Sequence, residues 1–413
     1  MLNWANQFSI FCLLDNQQYS FEAPAFECML AAGCKSSTQA GSSAIFSSLK
    51  KIKKDKHDWL FGHIAYDAKN ETEQLSSHNA DGIGFPDACF FIPEIVLQLD
   101  KNCLTILYGG ESRNIFDEIN AFHISNDSAY LSNVSIKNRI SKEAYIEIIK
   151  KLQAHILRGD CYEINFCQEF YAANALINPT DVYLKLSSLS PNPFAALYKL
   201  HHTWCICASP ERYLKKTGNK IFSQPVKGTA KRKINDIQAD EIIKQQLQHS
   251  SKEQSENVMV VDLVRNDLSK ICKEGTVKVD ELFGMYTFPH LHQMISTVSG
   301  EVMNDIDWTD MIKATFPMGS MTGAPKKRVM ELIEQYEQTK RGLFSGTIGY
   351  IQPGEVNDQP DFDFNVVIRS ILYNDAKKYL SFQTGSAITF YSDAEKEYEE
   401  CLLKAAAMKA VLE

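Results

Sequence analysis

Past residue 140 the chain interleaves helical apolar periods with strand-like apolar runs, and no phosphate-cradling loop joins them. That alternation constrains the fold more than any other feature. Tyr145, Ile148, Ile149, Leu152 and Ile156 recur at helical spacing between Ser141 and Gly159, so the pattern predicts a capped helix over 142–158. Residues 253–270, 323–337 and 394–412 read as further helices, the last opened by a Ser392-x-x-Glu395 capping box. Strand-like runs fall between them at 294–298, 346–351, 364–373 and 379–383. Earlier, IFCLLD, WLFGHIAYD and FFIPEIVLQLD have strand character over residues 1–135. Neither G-x-G-x-x-G nor G-x-x-x-x-G-K-[ST] occurs, which argues against the common nucleotide folds and leaves an α+β class. The polar stretch Ser125–Asn138 is the expected boundary, a seam and not a free linker.

Composition removes several function classes. The 413 residues carry a net charge of −8 with no basic block, so a nucleic-acid partner is not expected. No run approaches the ~20 apolar residues of a membrane span. Met1–Asp15 lacks the basic region and cleavage site of an export signal. The eleven cysteines form no C-x-x-C pair, and we read them as reduced thiols in the cytoplasm, against a zinc site.

Three polar groups stand where apolar ones are expected. Glu256 lies in the stripe of Met259, Val260, Leu263 and Val264, and an unpaired carboxylate buried there costs several kcal/mol. It needs a cation, a proton or a metal; a salt bridge is the competing reading. Glu397, Cys401, Lys404 and Met408 share one face of the last helix, with Glu400 at its edge. Leu402, Leu403, Ala406 and Ala410 occupy the other face, so this helix is expected to be covered on both sides. Its acids would then line an interior site for a hard cation, against the alternative of a Glu400–Lys404 surface pair. Arg369 sits inside FNVVIRSILY, on the strand face of Val367 and Ile371, suited to an anionic ligand or to an internal ion pair.

Loops add weaker signals. SQPVKGTAKR places Lys227 in a Pro/Gly turn that could hold an amine in a cleft. Gly319, Thr322 and Gly323 precede a helix start, where backbone N–H groups bind anions. Thr384–Ile388, TGSAI, lets a ligand approach the backbone.

In this order, the blocks GDCYEINFCQEF, ASPERYL, QPVKGTAKR, SENVMVVDLVRNDL, ATFPMGSMTGAPKKRVMELI, RGLFSGTIGYI, FNVVIRSI and SDAEKEYEECLLKA resemble the chorismate-utilising enzymes. That family includes the component I subunits of anthranilate and aminodeoxychorismate synthases and the isochorismate and salicylate synthases. The resemblance implies two stacked antiparallel sheets flanked by helices, with residues 1–135 packing into the same globule as a chorismate-binding catalytic part, 136–413. It implies Mg²⁺ held by Glu256 and Glu400, with Glu397 helping through water. It also implies substrate contacts from Gly228, Thr229, Thr322, Tyr350, Arg369, Gly385, Ser386, Ala387 and Lys404. Glu211 takes the general-acid position, a role that calls for a pKa raised by burial.

Lys227 selects the branch. Anthranilate synthases resemble this block but carry Ala there, whereas the para-aminobenzoate branch carries a Lys that adds covalently to the ring. The resemblance therefore implies amination of chorismate to 4-amino-4-deoxychorismate, with anthranilate synthase component I as the alternative. A catalytically dead homologue kept as a binding subunit is the rival of another class; it predicts lost site residues, and none is lost. Ammonia is expected from a separate glutamine amidotransferase subunit, because the chain lacks glutaminase blocks. Glu163 stands where isochorismate synthases hold a Lys base and the ammonia users a Gln, and Gln293 replaces a His found in many relatives.

Overall fold

The computed structural model describes residues 1–413 except 20–25, 42, 53–54, 56, 111, 123–133 and 355–358. Much of the expected boundary at 125–138 therefore lies outside the described residues. Two antiparallel sheets dominate, of eleven and ten strands. Among the described residues, 1–135 build no sheet of their own. Ile10–Asp15 pairs with Phe194–Leu200 on one side and Cys28–Ala32 on the other, in the middle of the first sheet. Leu60–Ile64 joins the second sheet against Thr347–Ile351.

Burial on both faces explains the apolar runs. Along IFCLLD, Ile10, Cys12 and Leu14 join one core cluster, which also holds second-sheet residues such as Phe61 and Leu214. Phe11 and Leu13 join the other, under the helices Lys142–Leu157, Pro179–Leu189, Lys326–Tyr336 and Ala394–Ala410. A strand covered on both faces has no polar side to alternate with.

Several expected elements break where the chain changes sheet. FFIPEIVLQLD is two strands, Ala88–Ile92 in the second sheet and Ile95–Asp100 in the first, parted at Pro93. The expected strand 364–373 is likewise two, Phe362–Asn365 in the second sheet and Ser370–Asn374 in the first. Arg369 is thus not a mid-strand residue; it lies on the crossing, in a left-handed conformation with φ 49°. Thr203–Ser209 and Arg212–Thr217 make the opposite crossing, and Glu211 lies on that one. Val366 N donates to Glu211 O at 3.0 Å, so the two crossings run side by side.

Helix boundaries shift in informative ways. Ser141 caps Lys142–Leu157 as expected, its side chain accepting from Ala144 N. The expected helix 253–270 is Ser251–Ser269, and a separate helix, Ile237–Gln248, precedes it without having been anticipated. The expected 323–337 begins only at Lys326, because Gly323–Ala324 pairs as a short strand with Glu163 and Ile164. The last helix is capped by Asp393, whose side chain accepts from Glu395 N and Lys396 N, and not by Ser392. It is covered on one side only: Leu403 is 75% exposed, while Glu397, Cys401 and Met408 are buried. Among the described residues no helix is long and apolar enough to cross a membrane. All eleven cysteines are free.

Candidate active site

The site forms where the first edges of the two sheets meet two helices. Glu163 opens strand Glu163–Ala172, and Lys227 lies in strand Val226–Lys231, which pairs with Leu291–Glu301. The Lys227 segment is therefore not a loop. It is a strand with a register shift between Val226 and Thr229, and Gly228 takes φ 87° there. A bulge of this kind re-aims a side chain out of the ladder. The space beside it is also tight: a Cβ at 228 would sit 3.0 Å from Leu247 Cδ1 and 3.1 Å from Glu253 Oε2, so those side-chain ends would have to shift slightly.

Lys227 points into a nest of acids. Its Nζ donates to Glu163 Oε1 at 3.3 Å and lies 3.8 Å from Glu256 Oε2. Burial works to lower the Lys227 pKa, but the charges of Glu163 and Glu256, the Glu163 hydrogen bond and the Glu211 charge outweigh it and raise the value. The surrounding acids therefore favour the ammonium form of this amine. Glu211 moves as a general acid should. Burial pushes it from 4.5 up to about 7, against Ser320 Oγ, which donates to its Oε1 at 2.7 Å, and the Lys227 charge. A narrow cavity adjoins Glu211 and Ser320 and runs back to Asp267.

The C-terminal helix brings its acids to the same place. Lys252, one turn before Glu256, has its Nζ 3.8 Å from Glu256 Oε1, 3.4 Å from Glu397 Oε1 and 3.8 Å from Glu400 Oε2. Burial works to lower the Lys252 pKa, yet the charges of Glu397, Glu256 and Glu400 raise it. Lys404 Nζ binds Glu400 Oε1 at 2.8 Å and donates to Gly385 O at 2.9 Å. Burial pushes Glu256 up to about 7, with the Lys227 charge opposing. Glu400 is held below the ordinary carboxylate value because Lys404 outweighs its burial.

The expected metal ligands face a lysine. Among the described residues no three acid, His or Cys side chains stand close enough to share one ion. The three carboxylates surround an ammonium instead. They nevertheless fit a hard cation: Glu256 Oε1 and Glu397 Oε2 are buried oxygens that accept no hydrogen bond, in residues 8% and 2% exposed.

Other expected contacts are placed as follows. TGSAI is not a loop but the end of strand Tyr379–Ile388. Gly385, Ser386 and Ala387 pair with Cys167, Phe166 and Asn165 on one side. The ladder to Ser370–Asn374 on the other side reaches only Phe382, so among the described residues the edge of 383–388 has no strand neighbour there. Burial lowers the pKa of Arg369, just before that neighbouring strand, with the Glu211 charge opposing. Thr322 spends its hydroxyl on Met318 O at 3.1 Å, and its carbonyl accepts from Asn165 N. Thr229 is exposed. Tyr350 stands apart from the Lys227 contacts, its ring packed against Phe26, Trp59 and Phe61 in a cavity shared with Asp363. Gln293 is fully buried beside Thr229 in register, with neither amide atom hydrogen-bonded. Sequence reasoning missed Lys252, Glu253 and Ser320. Lys252 carried a signal, the i,i+4 spacing to Glu256.

The fold is α+β, and this cleft gathers amines and carboxylates at one place. Comparison with known proteins agrees. A family profile described as chorismate binding enzyme matches residues 9–410, and the chain belongs to that family. It is 33% identical over 87% of its length to "Probable aminodeoxychorismate synthase, chloroplastic" of Oryza sativa subsp. japonica, spanning 44% of that protein. It is 30% identical over 82% of its length to "Aminodeoxychorismate synthase component 1" of Escherichia coli (strain K12), spanning 73% of that protein. The solved structure of anthranilate synthase component I from Streptococcus pneumoniae TIGR4 superposes with a TM-score of 0.80, covering 95% of this chain and 94% of that one. At 23% identity that likeness concerns the fold alone.

Proposed function

We propose that this chorismate-utilising enzyme aminates chorismate at ring carbon 4 to give 4-amino-4-deoxychorismate, through a covalent adduct of Lys227. The observation that carries this reading is the buried Lys227 amine, held between Glu163 and Glu256 near a neutral-prone Glu211. The amine must first lose a proton, and Glu163 Oε1, 3.3 Å from Nζ, is the base in reach. Free of that proton, Nζ attacks ring carbon 2 while the bond from carbon 4 to its hydroxyl oxygen breaks. Glu211 protonates the departing oxygen, which leaves as water. Ammonia then attacks carbon 4, the carbon 2–Nζ bond breaks, and the surplus proton on the new amine passes to the Glu211 carboxylate. Two easier displacements replace one difficult one.

Arg369 and the open edge of residues 383–388 suit the enolpyruvyl carboxylate, with Lys404 at the rim. Glu256 and Glu400, with Glu397 through water, are the residues that would hold Mg²⁺, which when bound neutralises the ring carboxylate and polarises the diene. The reading includes a cytoplasmic setting and a separate glutamine amidotransferase that supplies ammonia. It also takes residues 136–413 as the chorismate-binding part. Incubation with chorismate, Mg²⁺ and an ammonium salt, followed by mass spectrometry, tests it. Aminodeoxychorismate is expected; fluorescent anthranilate formed without an added lyase would instead identify an anthranilate synthase. Lys227→Ala should slow product formation by orders of magnitude, and near-normal turnover would exclude the adduct.

A further inference from the structure

Three carboxylates brought together from two helices repel one another unless a cation stands between them. Here that cation is the chain's own. Lys252 Nζ lies 3.4–3.8 Å from oxygens of Glu256, Glu397 and Glu400. The neighbouring amines are engaged elsewhere: Lys404 makes contacts of 2.8 and 2.9 Å, and Lys227, only 11% exposed, donates to Glu163 at 3.3 Å. Lys252 makes a single hydrogen bond, to Glu397 Oε1 at 3.4 Å, and its side chain is 51% exposed. It is the most exposed of the three amines and has solvent beside it to swing into. Two oxygens around it, Glu256 Oε1 and Glu397 Oε2, accept no hydrogen bond, so the ammonium does not satisfy the cage it fills.

We propose that Lys252 is a built-in counter-cation: its ammonium holds Glu256, Glu397 and Glu400 together in the metal-free enzyme and withdraws when a divalent ion enters. The inference rests on the reading of those carboxylates as the metal site. Lys252 and the ion compete for the same oxygens, so each weakens the other's hold. The enzyme keeps these carboxylates near one another without metal, at a cost in metal affinity. Chorismate, which brings its own carboxylate, then helps recruit the ion.

Calorimetric titration of metal-free protein with Mg²⁺ alone tests this. Lys252→Ala and Lys252→Gln should each bind Mg²⁺ at least about tenfold more tightly than wild type. Their metal-free forms should melt at lower temperature, with a larger rise on adding Mg²⁺. Lys252→Arg, which keeps the charge, should stay near wild type. Glu400→Gln should lose the binding, showing that the titrated site is the cage. Equal or weaker binding in both neutral variants overturns the role of Lys252 and leaves the metal site standing. Absence of Mg²⁺ binding in wild type and neutral variants alike overturns the metal reading, and the counter-cation with it.

Discussion

Burial acts on Glu211 and Lys227 alike, since both are removed from water, yet it leaves one neutral-prone and the other charged. The difference is company. Glu211 has a hydroxyl donor in Ser320 and only a distant share of the Lys227 charge, so desolvation dominates. Lys227 has two carboxylates within 3.8 Å, and their attraction exceeds the desolvation cost. Glu211→Gln should therefore lower kcat by about 10²–10⁴-fold, the usual yield of a general acid, with Mg²⁺ binding unchanged. Steady-state kinetics beside calorimetry checks both halves. Stability should respond too. The folded pKa of about 7 lies above the ordinary 4.5, so between those values the folded state binds more protons than the unfolded one. The contribution of Glu211 is full below about pH 4.5 and is lost as pH rises through 7. Urea unfolding of the metal-free protein across that window should show wild type losing stability relative to Glu211→Gln; parallel curves would contradict the assignment.

At the scale of elements, two positions support the site from outside it. Asp393 caps the C-terminal helix that carries Glu397 and Glu400, accepting from the N–H groups of Glu395 and Lys396. Asp393→Ala should cost about 1 kcal/mol of stability and loosen Mg²⁺ binding by fraying the first turn, measurable by chemical denaturation and titration. Gly385 lies against the neighbouring strand so closely that a Cβ would sit 2.0 Å from Phe166 O, a backbone atom that cannot turn aside. Gly385→Ala should destabilise by about 1–3 kcal/mol or more and weaken chorismate binding, since the open strand edge shifts with it. A melting temperature equal to wild type would refute that reading of the glycine.

For the whole molecule, the telling feature is where residues 1–135 sit. Ile10–Asp15 lies between Phe194–Leu200 and Cys28–Ala32, and feeds both hydrophobic clusters. A chain cut down to residues 136–413 should not fold cooperatively. Removing that strand exposes a row of unpaired backbone groups in mid-sheet and opens both cores. Thermal unfolding by circular dichroism checks this, and a sharp transition in the shortened chain would show that the remainder stands alone.

Local pattern and tertiary placement divided the information on physical lines. The sequence alone determined the helix at 142–157, because one face is apolar and its Ser cap is local. It also marked Glu256, because a carboxylate in an apolar stripe contradicts its surroundings wherever the helix packs. The blocks that resemble the chorismate-utilising enzymes are contiguous, so the family was legible too. Other features needed the fold. FNVVIRSILY reads as one strand because its residues are buried in either sheet, and only the tertiary structure shows the chain leaving one sheet for the other at Arg369. TGSAI looks like a loop because small residues give no periodicity; pairing with Cys167, Phe166 and Asn165 makes it a strand. The exposed side of the last helix could not be told from Leu403 and Ala406, since apolar residues also face water. Nor could spacing show which charge fills the carboxylate cage. Lys252, Glu397 and Glu400 meet only because the fold brings the first turns of two helices, more than a hundred residues apart in sequence, to one place, and such encounters are set by the energy of the whole assembled core.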